Sequence, residues 1–344
     1  MKKYLILADG NCIHTQKWVK ALKNYFEIYL VSFNGVSNEI TNLLPKENII
    51  SFKLNINSNG NNIFLLKFLP EIIAMLNEIK PDYINAHYIT SYGTIAVLST
   101  LFYIRKCTII LSAWGSDILI TPYKNKLYYY LTKFILNNAN FITSDSFYMS
   151  NHIKKIAHKD NILTFPFGIE ELPVINKEEK DYNIYFSNRR LDKNYNIDKI
   201  VEAFKSIKNQ NNSAKLYIAA TGQEESSLKK LVSKLELDNS VKFLGWLNGT
   251  EMAKYYKISG FYFTLPTSDS TSVSLLEAMS YGCIPIVSNI PANLEWIKDG
   301  ENGFVYEKNK KFEILPNAFS MNRKIIKEKA LWNVNIKNFV NDIL

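Results

Sequence analysis

Cysteine is scarce in this 344-residue sequence. Cys12, Cys107 and Cys283 are scattered and odd in number. They form no disulfide framework and no metal-type spacing, so a reducing cytoplasmic setting is expected. No apolar run reaches the roughly 18–20 residues that span a bilayer. The first residues run directly into a buried strand and then Asp9-Gly10, without the longer apolar stretch and small-residue cleavage site of a signal peptide. There is no internal repeat, no low-complexity tract, no glycine-rich phosphate loop and no His/Cys/Asp cluster at metal spacing. Neither a metal nor a cofactor is therefore expected.

What is present is a globular composition, 47% hydrophobic and 21% charged, in a chain long enough for two domains. The net charge is +9, and it leans to one side: residues 1–170 hold 17 Lys and Arg against 11 Asp and Glu. Such an excess can mean nucleic acid, an anionic membrane surface or merely a soluble basic protein, since charge alone identifies no partner; with the segments below, no nucleic-acid partner is expected. Residues 123–136 mix Lys124, Lys126 and Lys133 with Tyr, Phe and Leu at helical spacing. That pattern fits either a helix lying on anionic lipid or an ordinary amphipathic layer helix.

The most informative stretch runs from Asp269 to Gly282. A β-prone run, 261–265, ends at Pro266, and a helix follows. Ser270 or Thr271 can cap it, Leu275, Leu276 and Met279 form its buried stripe, and Gly282 can close it in the left-handed region. The backbone N–H groups of Thr271, Ser272, Val273 and Ser274 are then the unpaired donors of a helix start, which suits a diphosphate. Glu277 lies within reach of a ribose hydroxyl below it. Asp269 can meet hydroxyls of whatever the diphosphate carries. The stretch reads as a pocket for a sugar–diphosphate–nucleoside.

Elsewhere, strand–helix–strand patterns recur. Residues 4–8, a loop through Asp9, Gly10 and His14, a helix, and residues 27–32 open a doubly wound domain whose first loop sits at a strand's carboxyl end. Residues 63–76 read as an apolar helical segment. His87 ends a later strand, and Trp114-Gly115-Ser116-Asp117 follows another. His14 and His87 each fit a site residue or a structural histidine, and Asp117 fits a site acid or a helix cap. The polar segment 172–182 reads as a linker. Asn188-Arg189-Arg190-Leu191 ends the next strand, where guanidinium groups suit phosphate. Trp246 follows another strand and can stack or pack.

In order and spacing these segments resemble the retaining glycosyltransferases of family 4, which have the GT-B fold. The family's E-x7-E followed by A-M/L-A-x-G-x-P-V/I-V appears as Asp269…Glu277-Ala-Met-Ser-Tyr-Gly282-Cys-Ile-Pro285-Ile-Val287, with Asp at the first acid. Its H-G-S-D appears as Trp114-Gly115-Ser116-Asp117. Its G-R-L…K-G-x-D appears with Arg190 at the arginine and Tyr195 at the lysine, so that Lys193 or Arg189 would supply the second charge. His87, Phe165–Glu170, Val241–Gly245 and Glu295–Gly303 also match family segments.

The resemblance implies two Rossmann-like α/β domains facing a cleft: 1–172 for the acceptor, 183–320 for the donor, and 321–344 as a helix returning to the first. It implies transfer of a sugar, with retention and without metal, from a UDP- or GDP-sugar to a hydroxyl of a cell-surface glycan or a polyprenyl- or other lipid-linked acceptor. Location would be cytoplasmic, or peripheral on the inner face of the plasma membrane. Asp117, Arg190 and Asp269 would be catalytic. Arg189, Arg190, Lys193, Trp246, Asp269, Thr271, Ser272, Val273, Ser274 and Glu277 would bind the donor. Asp9, Gly10, His14, His87 and Trp114 would line the acceptor side, where Trp114 can stack on a sugar. An epimerase of the same fold, or a nucleotide-sugar-binding protein without catalysis, would share much of this pattern.

Overall fold

The computed structural model describes residues 1–54 and 63–344. They form two compact units: Met1–Phe165 with Asn333–Leu344, and Pro166–Trp332. The division falls at Phe165/Pro166, so the polar segment 172–182 lies within the second unit. A backbone clasp explains this. Ile169 N–H donates to Ala330 O at 2.9 Å, and Trp332 N–H donates to Ile169 O at 2.8 Å. Gly168, at φ +56°, is pressed against the Ala330 carbonyl where a Cβ has no room. The carboxyl-terminal region is two helices, Ala318–Lys329 and Trp332–Ile343, and nearly all of the latter belongs to the first unit.

The first unit holds seven parallel strands: β1 (Lys3–Leu7), β2 (Glu27–Ser32), β3 (Ile49–Ser51), β4 (Tyr83–His87), β5 (Thr108–Ser112), β6 (Phe141–Ser144) and β7 (Ile162–Thr164). Their order is β3-β2-β1-β4-β5-β6-β7. The central strands are nearly continuous apolar runs because helices cover both faces of such a sheet. Leu5, Leu7, Val31, Ile84 and Leu111 are fully buried on this basis. The apolar segment 63–76 is a 3-10 stretch, Ile63–Phe68, followed by a helix, Leu69–Ile79. Pro70 sets that boundary, since proline is tolerated only in a helix's first turn. In the last helix Phe339 meets Trp18 edge-on at 5.2 Å, and Tyr83 Oη donates to Ile343 O at 3.2 Å.

The second unit has six parallel strands: β8 (Asp181–Ser187), β9 (Lys215–Ile218), β10 (Val241–Phe243), β11 (Ser259–Thr264), β12 (Ile284–Val287) and β13 (Phe304–Val305). Their order is β10-β9-β8-β11-β12-β13. Strand order therefore reverses between β1 and β4 in one unit and between β8 and β11 in the other. The loops leaving such a pair diverge and open a crevice, the usual ligand position in doubly wound sheets.

Candidate functional site

At the β8/β11 switch point, the loop after β8 carries Asn188, Arg189 and Arg190, and the loop after β11 leads to Asp269 and the helix Val273–Ser280. The loops are tied together: Thr267 N–H donates to Asn194 O at 2.7 Å, and Asn196 Nδ2 donates to Leu265 O at 2.7 Å. The helix is capped one residue after Thr271 and two after Ser270, the expected caps. Ser272 is the cap, accepting from Leu275 N–H at 3.3 Å. Gly282 follows the last turn at φ +74°, as the spacing predicts.

Arg189 is the centre of this site. Its Nη2 pairs with Asp269 Oδ2 at 2.6 Å, and its Nη1 donates to Ser274 Oγ at 2.9 Å and to Ser272 Oγ. Its guanidinium lies 4.5 Å from the Tyr195 ring centroid. Burial alone would lower its pKa. The Asp269 charge, with Tyr262 and Tyr195, outweighs burial and holds the group above its ordinary value, so it stays cationic. A fixed cation thus stands at the positive end of a helix. The geometry supports an anion receptor, with Asp269 as the anion now paired there.

Of the two adjacent arginines, both expected at the donor site, Arg189 is the buried one. Arg190, expected at the diphosphate, has a 73% exposed side chain and pairs through Nε with Asp192 at 2.9 Å. The Arg189 side chain, by contrast, is only 10% exposed. Tyr195, at the position of the family's lysine, supplies a ring under Arg189 in place of a second cation. Lys193 is exposed in the adjacent turn, and Trp246 is 75% exposed beyond β10. Thr271 and Ser272 are buried, while Val273 and Ser274 are half-buried. Glu277 accepts from Tyr256 Oη at 2.9 Å, and Asn188 Nδ2 donates to the same phenol at 2.8 Å. Asn188, Tyr256 and Tyr262 read as ordinary strand and helix residues, and no sequence signal separates them from core. A groove of about 1060 Å³ lies at the amino-terminal end of β8, lined in part by Tyr182, Asn183 and Phe312, and includes none of these residues.

At the β1/β4 switch point the candidates are of another kind. His14, His87 and Trp114 form one aromatic cluster, with Trp114 4.8 Å from His14 and 5.3 Å from His87. Trp18, which the sequence reading passed over, joins it 5.5 Å from His87. Asn85 Nδ2 donates to Ile110 O and Ser112 Oγ, so its oxygen faces His87 Nε2 at 3.0 Å. Nε2 therefore carries the proton. Burial lowers the His87 pKa to about 3 and that of His14 to about 4, so both rings are neutral at pH 7.

Asp117 is fully buried. It accepts backbone N–H groups from Ile89 at 2.8 Å and Trp114 at 3.0 Å. Burial lifts its pKa to about 6, against the pull of those N–H groups. The carboxyl pins the turn at Ile89 to the loop carrying Trp114, which makes it a positioning group for the aromatic cluster. Asp9 is engaged likewise, by Asn11 N–H and Asn34 Nδ2, both at 2.9 Å. Gly10 N–H donates to Ser32 Oγ at 2.9 Å, and a Cβ there would strike Val36 and the Gly35 carbonyl.

Two α/β units, each with a parallel sheet and its polar groups gathered at a switch point, define a protein of the GT-B fold class. Residues 3–146 match the family model "Glycosyl transferase 4-like", and residues 168–316 match "Glycosyl transferases group 1". The chain belongs to this glycosyltransferase family. It is 28% identical over 149 residues to the alpha-monoglucosyldiacylglycerol synthase of Streptococcus pneumoniae, covering 42% of this chain and 34% of that one. It is 24% identical to an uncharacterized glycosyltransferase of Methanocaldococcus jannaschii, covering 89% and 82%. Against Anabaena HepE in complex with UDP the fold superposes with a TM-score of 0.77 at 13% identity, over 100% of this chain and 99% of that one. The chain spans about a third of the length of the Streptococcus synthase and 64% of a second Methanocaldococcus relative.

Proposed function

We propose that this protein transfers a sugar from a nucleoside diphosphate to an acceptor hydroxyl, with retention at the anomeric carbon. The observation that carries this reading is the buried Arg189 guanidinium at the amino-terminal end of the Val273–Ser280 helix. In the reaction the bond between the anomeric carbon and the phosphate oxygen breaks, and the acceptor oxygen bonds to that carbon from the same face. The departing phosphate takes the acceptor's proton. Negative charge grows on the diphosphate as an oxocarbenium-like centre forms. Arg189 and the N–H groups at the helix start are preorganised to stabilise it. These groups take the role a metal would otherwise serve, so no metal or cofactor is proposed. Glu277 would hold the ribose. The donor is a UDP- or GDP-sugar, in keeping with the UDP named for Anabaena HepE.

A thermal-shift screen of UDP, GDP, CDP, ADP and their sugar conjugates, without added metal, tests this. One nucleotide should raise the midpoint in the wild type and fail to do so in Arg189→Ala and Glu277→Ala. A folded protein that responds to none of them would remove the donor site.

For the acceptor side, the reading is a lipid-linked or growing glycan reached at the inner face of the plasma membrane. Helix Lys126–Asn137 exposes Leu127, Tyr130 and Phe134 along one face, beside exposed Tyr123 and Phe147. Between Asp117 and Asp145 there is no acidic residue, while Lys124, Lys126 and Lys133 are present. Apolar side chains flanked by lysines suit an anionic bilayer surface. No helix among the described residues is long and apolar enough to cross a membrane. Sedimentation with phosphatidylglycerol vesicles at low salt should retain the protein, and Leu127→Ser with Phe134→Ser should release it. Equal retention by phosphatidylcholine vesicles, or none by either, would sink the anionic-surface reading.

A further inference from the structure

Beside Arg189, a chain of hydrogen bonds runs one way through four side chains from four different elements. Tyr262, on β11, donates to Asn188 Oδ1 at 2.7 Å. Asn188, after β8, donates through Nδ2 to Tyr256 Oη at 2.8 Å. Tyr256, on the helix Gly249–Ile258, donates to Glu277 Oε2 at 2.9 Å and lies 3.2 Å from Ser274 O. The direction is fixed at its end. A carboxylate and a carbonyl both require a donor, so the Tyr256 proton points to them and its lone pair receives the Asn188 amide. Burial holds both phenols well above their ordinary pKa, so each remains a donor. Such chains polarise each link in turn, and the last acceptor gains most.

We propose that Tyr256 is the positioning residue of the ribose subsite, fixing the Glu277 carboxylate in the orientation that accepts ribose hydroxyls. The proposal rests on the donor-site reading above. Fixing a glutamate carboxylate in advance saves side-chain entropy on binding. An ionised carboxylate offers about four acceptor positions, of which the Tyr256 phenol takes one. The second contact, to Ser274 O, ties the phenol to the same helical turn that holds Arg189, so the ribose and phosphate ends of the donor share one frame.

The test measures Kd by calorimetry for UDP and GDP and for the 2′,3′-dideoxy form of each, in wild type, Tyr256→Phe and Glu277→Gln. Wild type should prefer the full ribose of its nucleotide by about tenfold, the scale of a hydrogen bond to a charged group. In Tyr256→Phe that preference should fall to about twofold or less, as in Glu277→Gln, while affinity for the dideoxy form stays within about twofold. An undiminished preference, or equal loss for both forms, would overturn the positioning role. If Tyr256→Phe does not fold, Tyr262→Phe decides: a preference cut by about half supports the chain, and an unchanged one overturns it. Wild type binding neither nucleotide would remove the donor site itself, a different failure from an unchanged preference.

Discussion

At the end of β4, His87 is a neutral ring packed against two tryptophans, and nearby Asp117 spends both oxygens on backbone N–H groups. At the end of β8, Arg189 is a buried cation whose carboxylate partner, Asp269, comes from a separate loop. The same sheet topology thus builds two unlike sites. The first is made of flat, uncharged surfaces set in place by a carboxyl, a chemistry that suits the faces of sugar rings. The second concentrates charge where a dianion would arrive. In the first, Asp117 is consumed by architecture; in the second, under the proposed function, the Arg189–Asp269 pair gives way to a ligand.

The largest effect should come from removing the cation. Arg189→Ala should weaken nucleotide binding at least about 100-fold and cut kcat/KM about a thousandfold, the scale for losing one preorganised donor to developing charge. It also leaves Asp269 buried without its partner and should cost about 3 kcal/mol of stability. Arg189→Lys should recover little, because an ammonium cannot span Asp269, Ser272 and Ser274 while stacking on Tyr195. Arg190→Ala, at the exposed neighbour, should change stability by less than about 0.5 kcal/mol. Equal losses in the two alanine variants, read by calorimetry and urea titration, would break the assignment of charge to Arg189 alone.

Asp117→Asn is the matching change in the other unit. The amide can offer one oxygen to the N–H groups of Ile89 and Trp114, and its NH2 must face the other. A loss of about 2–3 kcal/mol in urea unfolding is expected. Nucleotide Kd should stay within about twofold. A large loss of nucleotide affinity with little loss of stability would reverse the contrast drawn between the two sites.

The pH dependence of stability separates the groups within the first unit. His87 has a folded pKa of about 3, below its ordinary 6.5, so the unfolded chain takes up the proton first as pH falls. Its contribution is present above pH 6.5 and is lost on acidification, by roughly 2 kcal/mol at pH 5. His14, lowered to about 4, acts in the same direction. Asp117 has the opposite sign. With a folded pKa of about 6 against 3.8, the folded state protonates first and gains stability as pH falls between those values. Comparing wild type with His87→Gln at pH 7 and pH 5 isolates the histidine. The gap between them should shift by about 2 kcal/mol in favour of the variant at pH 5. A gap independent of pH would mean that His87 is not held neutral.

The contrast also marks what the sequence could reveal. The two α/β units and the helix that ends at Gly282 were legible, because apolar runs, Gly282 and Pro266 act locally. Of two adjacent arginines, the one that faces inward depends on how the chain leaves β8, and local pattern carries no such information. The cap at Ser272 was off by a residue or two because Ser270, Thr271 and Ser272 are all good caps. Packing selected Ser272, which Arg189 also contacts. Tyr256 and Tyr262 were hidden because their rings satisfy the core pattern, while their hydroxyls do the polar work. Trp18 was hidden likewise, as one apolar position on an amphipathic helix.

The smallest expected effect concerns Trp246, a large aromatic candidate of the second unit that is mostly exposed. Gly245 before it, at φ +71°, would have nothing within 4 Å of an added Cβ, so the loop tip is open. A side chain this exposed contributes little to folding, and Trp246→Ala should leave stability within about 0.5 kcal/mol. If the indole stacks on the nucleobase, its loss should weaken nucleotide binding by about 1 kcal/mol, roughly fivefold, for uridine and guanosine diphosphates alike. The same variant should leave the preference for full ribose unchanged, since Tyr256 and Glu277 lie on other elements. Calorimetry with UDP, GDP and their dideoxy forms reads both quantities. A change in ribose preference would couple the exposed ring to the buried chain, and no change in affinity would confine the charge-built site to Arg189, Asp269 and the helix behind them.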